Sequence, residues 1–371
     1  MSRRGSAKED EGRPSVLADP SYSARTEPSI HDLGEGRLEA GTPDGRPQRV
    51  LRIDVTGAPP NLLGRLLVGS YITGQDQVFV SSRQGLSVGQ REEIRRAVDR
   101  ILGMTIVAES PNSIEVQNFL DPGKFELPRL LHRVVQMLRS ELAILHGALM
   151  GEDSLRLPLI DDIEQEVDRF YILMVRQLLL SSESSRIARD IDVESHHYQI
   201  GDRLVAKVLE VIGDLIHGIG VDLQKHLPTL RRTAPRVVQE LTARVERFDR
   251  LFARTMDAFG HLSLVEANSL LNSLGEILPE DAEYGQEIAE RVRDRHTAVG
   301  AQRISCSLDM ALEMLIMVNE VTINRGVEPS TEIASAVRSE KARHHPDRLR
   351  ERAETEIAIL GPRPKKGRSV G

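Results

Sequence analysis

Between Leu127 and Leu149 the apolar residues Leu127, Leu131, Val134, Leu138, Leu142, Leu145 and Leu149 recur at steps of 4-3-4-4-3-4. That spacing keeps a single stripe on an α-helix and does not suit a strand, whose side chains alternate between two faces. A long helix with one apolar stripe must bury it against other helices, so the pattern predicts a bundle. Gly151 and Pro158 break the run, and Ile163, Val167, Phe170, Met174 and Leu178 then mark a second helix. Ile200, Leu204, Val208, Ile212, Leu215 and Ile219 mark a third, and Pro228 is expected to close the trio. Val237 to Phe259, Leu264 to about Arg293 and Ile304 to about Ile323 read as a second trio of the same order and lengths, the mark of a duplication.

The stretch before the helices reads differently. Residues 1–47 are rich in Gly, Pro, Ser, Arg and Glu without apolar periodicity, and are expected to form a disordered leader with no strand. Arg49 to Val55 alternates as a strand does, and Pro59-Pro60 opens a helix carrying Leu62, Leu63, Leu66 and Leu67. Gln77 to Ser81 reads as a second strand. Ser87 with Gln90 forms a capping box for a helix that Gly103 stops. Met104 to Ala108 and Ser113 to Val116 then make two strands around a Pro-Asn turn. The expected organisation is therefore a leader over 1–47, a small α+β module over 48–122, a helical repeat over 123–228, a second over 229–326 and a charged tail over 327–371.

Composition removes several function classes. The 371 residues include no Trp, 5 Tyr and 7 Phe, too few aromatics for base-stacking or sugar-stacking platforms. The single cysteine, Cys306, rules out an internal disulfide and a multi-cysteine zinc site. With 49 basic and 56 acidic residues the net charge is −7, which offers no excess positive charge for nucleic acid or anionic lipid. No apolar run reaches the roughly 18 residues of a membrane span. A cytoplasmic protein without membrane insertion is expected.

The residues with most chemical potential are acidic pairs. Asp161, Glu164 and Asp168 lie three and four residues apart, and at about 100° per residue they fall within about 60° of one another on the second helix. Glu210 and Asp214 repeat the spacing on the third helix, and His217 extends their stripe. On antiparallel neighbouring helices two such stripes can share metal ions through oxygen ligands. Set against this, the stripe on the third helix also holds Arg203 and Lys207, as a solvated face does. Gly213 favours the first reading, because glycine is costly inside a helix unless something packs close to it. Tyr171 and Val175 beside the acidic stripe of the second helix point the same way. His196-His197 reads as a surface pair, and Cys306 as a small buried hydrophobe. Gly218-x-Gly220 lacks the strand and third glycine of a dinucleotide loop. No P-loop, G-x-S-x-G or H-E-x-x-H motif is present, so an enzyme is not expected.

The run V-L-E-V-I-G-D-L-I-H-G-I from Val208 to Ile219 resembles the L-E-R-I-G-D-x-A-x-N-I-A signature of the PhoU family of phosphate-signalling regulators. It keeps Leu209, Glu210, Ile212, Gly213, Asp214 and Ile219, and departs at Val211 and Gly218. The run from Asp161 to Asp168 is similar to the partner acidic helix of that family, with Glu164 and Asp168 at its E/D-x-x-x-D positions. The runs Leu66 to Val80, Ser87 to Val98 and Ser113 to Pro122 resemble the region before the bundle in a PhoU subgroup that often begins with an AbrB-like DNA-binding hairpin. No such hairpin is visible in residues 1–47. The resemblance implies a mainly α fold of two tandem three-helix bundles behind the α+β module, with Glu164, Asp168, Glu210 and Asp214 as ligands of Fe, Mn, Zn or Mg. It also implies a homodimeric, non-enzymatic adaptor between the ATPase of a phosphate ABC transporter and a membrane sensor histidine kinase, with no direct nucleic-acid binding.

In the second repeat Met317 stands where the signature Asp would fall, with Glu313 kept, and Asn268 and Asn272 replace the expected acids. Amides ligate cations more weakly, so any site there is expected to be lost or weakened. Two rival readings remain: a helical scaffold with solvated acidic faces, unrelated to phosphate, and a metal-dependent hydrolase with His217 as its base.

Overall fold

In a computed structural model of the chain, residues 15–18, 48–152, 154–193 and 195–327 are described, and they are mainly helical. The chain divides into two compact units, Met1–Glu126 with Ile172–Ile191, and Leu127–Tyr171 with Asp192–Gly371.

The first unit holds the α+β module. Strands β1 (Ser15–Ala18), β2 (Val50–Asp54), β3 (Gln77–Ser81), β4 (Met104–Glu109) and β5 (Ser113–Asn118) form one sheet in the order β1-β2-β3-β5-β4. β2 and β3 run parallel, joined by helix α1 (Leu62–Ile72), and the other pairings are antiparallel. Helix α2 (Val88–Asp99) follows β3. Ile53, Val78, Val80, Ile114 and Val116 are fully buried, as are Leu67, Tyr71 and Ile94 of the two helices. The predicted capping box forms: the Gln90 amide donates to Ser87 Oγ at 3.2 Å, and the Ser87 amide to Gln90 Oε1 at 3.0 Å. Two expectations need correction. The Pro59-Pro60 pair does not begin α1, which starts after Asn61 in a left-handed conformation (φ 63°). The described residues within 1–47 form a strand, β1, in which the run Val16-Leu17-Ala18 pairs with the edge of β2. The rest of the expected leader, and the tail beyond Val327, lie outside the described residues.

Helix α3 (Leu127–Met150) precedes α4 (Leu159–Glu183), whose residues from Ile172 onward belong to the first unit. Arg176 is the anchor there. Fully buried, it donates to Asp76 Oδ1 at 2.7 Å and to the Gln75 carbonyl at 2.9 Å, with its guanidinium 4.6 Å from the Tyr71 ring centre. Gln177 donates to the Pro122 and Phe125 carbonyls, both at 2.7 Å. The short helix α5 (Ser185–Asp190) closes this unit.

The second unit contains α3, the amino-terminal half of α4, α6 (His196–Thr233), α7 (Pro235–His261), α8 (Leu264–Arg291) and α9 (Arg295–Gly326). The trios follow each other as the periodicity predicts. They also interlock, since α6 packs on α9 as well as α3, and α3 packs on α7. Pro228 does not end the third helix. α6 continues to Thr233 because Leu227 and Leu230, on either side of the proline, are both buried at 1% exposure or less. Their burial offsets the roughly 3 kcal/mol an interior proline costs. Among the described residues no helix is long and apolar enough to cross a membrane.

Candidate functional site

Two glycines set the approach of α6 to its neighbours in the first trio. A Cβ on Gly213 would stand 3.3 Å from Leu138 Cδ2 of α3 and 3.4 Å from Val167 Cγ1 of α4, and one on Gly220 would stand 3.0 Å from Ile160 Cδ1. Gly213 therefore has the packing reason that its cost in a helix requires. Stepping up α6 from Gly213 to Gly220 steps down α4 from Val167 to Ile160, so the two helices are antiparallel. His217 Nε2 lies 2.6 Å from Asp161 Oδ1, in keeping with that register. Asp168 of α4 lies close enough to Glu210 and Asp214 of α6 for its charge to act on both, so three of the four acids predicted from sequence meet, while Glu164 acts on Glu141 of α3.

Burial across this face is graded. The outer rung is open, with 56% of the Asp161 side chain exposed. Asp214 is exposed, Glu164 and Asp168 are intermediate, and only 13% of the Glu210 side chain reaches solvent. Burial raises the Glu210 carboxyl above its ordinary value; Lys207 pulls it down, and the Asp214 and Asp168 charges add to the rise. Asp214 is raised by burial and then by Asp168. The solvated-face expectation holds for Asp161 and Asp214 and fails for Glu210. Lys207 donates to Glu210. Arg203 instead donates to the Tyr171 hydroxyl at 3.0 Å.

Glu141 of α3, whose carboxyl feels the Glu164 charge, has no counterpart in the sequence motifs. It projects from α3 in a run of buried residues that includes Leu138, Leu142 and Leu145, and it is 0% exposed. Neither carboxylate oxygen has a hydrogen-bond partner. Burial first, and the Glu164 charge second, push its carboxyl up to about 9. A carboxylate interrupting an apolar stripe was the available sequence signal: position 141 follows Leu138 by three and precedes Leu145 by four, on the bundle-facing side. Among the described residues, no three His, Cys, Asp or Glu side chains are arranged as they stand to hold a metal ion.

The second trio handles its charges differently. Asn268, Asn272 and Glu313 are all exposed and form no inward-facing set. Inside, Arg244 of α7 donates to Ser305 and Asp309 of α9 and lies 3.3 Å from Asp281 of α8, which also pairs with Arg247. The Tyr284 hydroxyl donates to Glu240 at 2.9 Å. Each buried acid here meets a guanidinium.

The remaining candidates carry little chemistry. His196 and His197 are exposed, with His196 3.2 Å from Gln199 at the start of α6. Cys306 is exposed rather than buried, because the inward stripe of α9 runs through Ala301, Ile304, Ser305 and Leu308 and leaves position 306 outside. In the first unit an open depression of about 640 Å³ lies beyond the carboxyl ends of β2 and β3, lined by Asn61, Ser82, Ser87 and Glu93 among others. Glu93 is already engaged, accepting from the Gly64 amide at 2.8 Å and the Asn61 amide at 3.2 Å to close the start of α1. No protein-family model, curated protein or solved structure matches the chain.

Proposed function

We propose that the chain is a non-enzymatic regulator of phosphate uptake and phosphate-starvation signalling, acting as a metal-binding helical adaptor. The observation that carries this reading is the antiparallel pairing of α4 with α6, which brings Asp168 close enough to Glu210 and Asp214 for its charge to act on both. The buried oxygens of Glu141, which feels the Glu164 charge, fit a cation, because among the described residues no donor reaches them. Glu164, Asp168, Glu210 and Asp214 would hold the ion, and the ion would offset their mutual repulsion and stiffen the α4–α6 pair. The long outer faces of the helices then serve as docking surface. The partners are the ATPase of a phosphate ABC transporter and a membrane sensor histidine kinase, and the working form is a cytoplasmic homodimer. Deleting the gene is expected to raise phosphate uptake and switch on starvation genes in phosphate-replete medium. Unchanged uptake and expression would sink the signalling role.

A second reading, a scaffold without metal, is favoured by one contact. The Lys207 ammonium bonded to Glu210 supplies part of the positive charge the face needs. Metal analysis of the purified protein separates the readings: stoichiometric Fe, Mn, Zn or Mg that disappears in Glu210→Ala with Asp214→Ala supports the first, and metal content unaffected by those changes supports the second.

A further inference from the structure

We infer that the contact between α6 and α9 is a pH-sensitive latch, in which His226 joins the helices as a neutral imidazole and loosens the amino-terminal turns of α9 when it takes a proton. The inference is independent of the metal reading, since His226 lies about three turns beyond Asp214 along α6. Because α6 belongs to the first trio and α9 to the second, the latch acts where the trios interlock.

His226 is 6% exposed and sits where α9 makes room for it. A Cβ on Gly300 would stand 2.2 Å from His226 Cδ2, so the ring lies against bare backbone in space that any other residue at 300 would fill. His296, one turn earlier on α9, is exposed and places its ring centre 4.9 Å from that of His226. The other end of the same helix pair carries no histidine in its contacts. There Gly201 of α6 meets Val321 of α9, and Arg325 bonds Asp202 and lies 4.7 Å from the Tyr198 ring centre. One end of the pair is thus built to titrate near neutral pH and the other is not.

A proton on His226 meets mainly its own sign. Lys225 adjoins it on α6, and His296 and Arg303 act on it from α9. Against them stand Asp222, one turn back on α6, and Asp294, the cap of α9, which feels both imidazoles. Both carboxylates are already engaged. Asp222 Oδ2 lies 3.2 Å from Arg303 Nε, and Asp294 accepts from the Thr297 amide at 2.8 Å and hydroxyl at 2.6 Å. Burial first, and the His296 charge second, hold the His226 imidazole below its ordinary value of 6.5. A base depressed in the fold takes its proton more readily once released, so the contact is at full strength above that value and weakens as pH falls below it. The bonds from Thr297 keep the Asp294 carboxyl below its ordinary value, so the cap of α9 stays charged through this range. The helix therefore keeps its start while its packing against α6 loosens.

The test uses the full chain and its single cysteine. Cys306 is exposed on α9 about two turns from Gly300, so a nitroxide attached there reports the mobility of that helix by EPR. Histidine ring protons followed by NMR give the titration of His226, assigned by its loss in His226→Gln. In wild type the label is expected to gain mobility as pH falls from 7.5 to 5, with the midpoint of the His226 titration, below 6.5. His226→Gln is expected to abolish that transition, and so is His226→Phe, which keeps a ring over Gly300 without a titrating group. His296→Gln is expected to move the midpoint up by removing a neighbouring charge, and Asp222→Asn to move it down. A transition of unchanged midpoint in both His226 variants, or none in wild type, overturns the latch. So does a His226 resonance that titrates at or above 6.5. Label mobility that falls as His226 takes its proton overturns the direction, because Asp222 would then be tightening the contact.

Discussion

In the first trio α3 buries a glutamate, Glu141, whose oxygens meet no donor, while in the second α7 buries an arginine, Arg244, that bonds Ser305 and Asp309 and lies 3.3 Å from Asp281. The helices are alike in order, and both interiors are mainly aliphatic, with Phe248, Phe252 and Phe259 also buried in the second. They differ in how buried charge is balanced. Arg244, Arg247, Asp281 and Asp309 neutralise one another within the fold. In the first trio Glu210 accepts from Lys207, whereas among the described residues no donor reaches the oxygens of Glu141. Two helical trios of the same order can thus balance buried charge in different ways.

The largest effect should come from breaking the neutralised half. Removing one partner of a buried ion pair costs about 3–5 kcal/mol because the other charge stays buried. Arg244→Met is therefore expected to lose stability of that order in chemical denaturation. Asp281→Asn combined with Arg244→Met should lose less than the two single changes added together. Additive losses would mean that the network is not a unit.

The first trio should instead show its imbalance through pH. The Glu141 carboxyl ordinarily titrates near 4.5 and is held up to about 9 in the fold, so between those values the folded chain carries a proton that the unfolded chain has lost. Stability of metal-free protein is then greatest below the lower value, falls as pH rises, and levels off above the higher one. One such group gives a slope of at most about 1.4 kcal/mol per pH unit. Glu141→Gln should flatten that slope between pH 5 and 8. An unchanged slope in urea titrations at several pH values would show that Glu141 has a donor in solution.

Helix approach offers a smaller contrast. A Cβ on Gly300 of α9 would stand 2.2 Å from His226 Cδ2 on α6, while one on Gly213 stands 3.3 Å from its nearest neighbour. Gly300→Ala should cost about 1–3 kcal/mol through overpacking. Gly213→Ala should fall within about 1 kcal/mol of wild type, since helix propensity offsets the tighter contact. Calorimetric midpoints of the two variants should fall in that order, and the reverse order would remove the argument that Gly213 is merely close while Gly300 is essential.

The smallest effect concerns Lys207, about half exposed. Lys207→Met should change stability by less than about 1 kcal/mol, as exposed pairs do. It should nonetheless strengthen Mn²⁺ binding by freeing Glu210. Weaker binding in this variant would assign Lys207 a supporting role in the site.

Much of this was legible in the residues. The 4-3-4 steps of leucine from Leu127 to Leu149 dictate a bundle helix, and the Ser87–Gln90 box starts α2, because these are local rules of period and cap, whereas α2 ends at Asp99, four residues before the Gly103 expected to stop it. The spacing of Glu164 with Asp168 and of Glu210 with Asp214 likewise put each pair on one stripe. Spacing along a single helix says nothing about what stands opposite it. That Pro228 does not stop α6, that Cys306 faces outward, that Arg176 ties the end of α4 to the α+β module, and that Glu141 is enclosed beside Glu164 were all decided by packing. The sequence determined which faces are apolar and which are acidic. The tertiary structure decided which acids lose their water, because desolvation depends on the neighbour across the gap and the neighbour is chosen only when the helices pack.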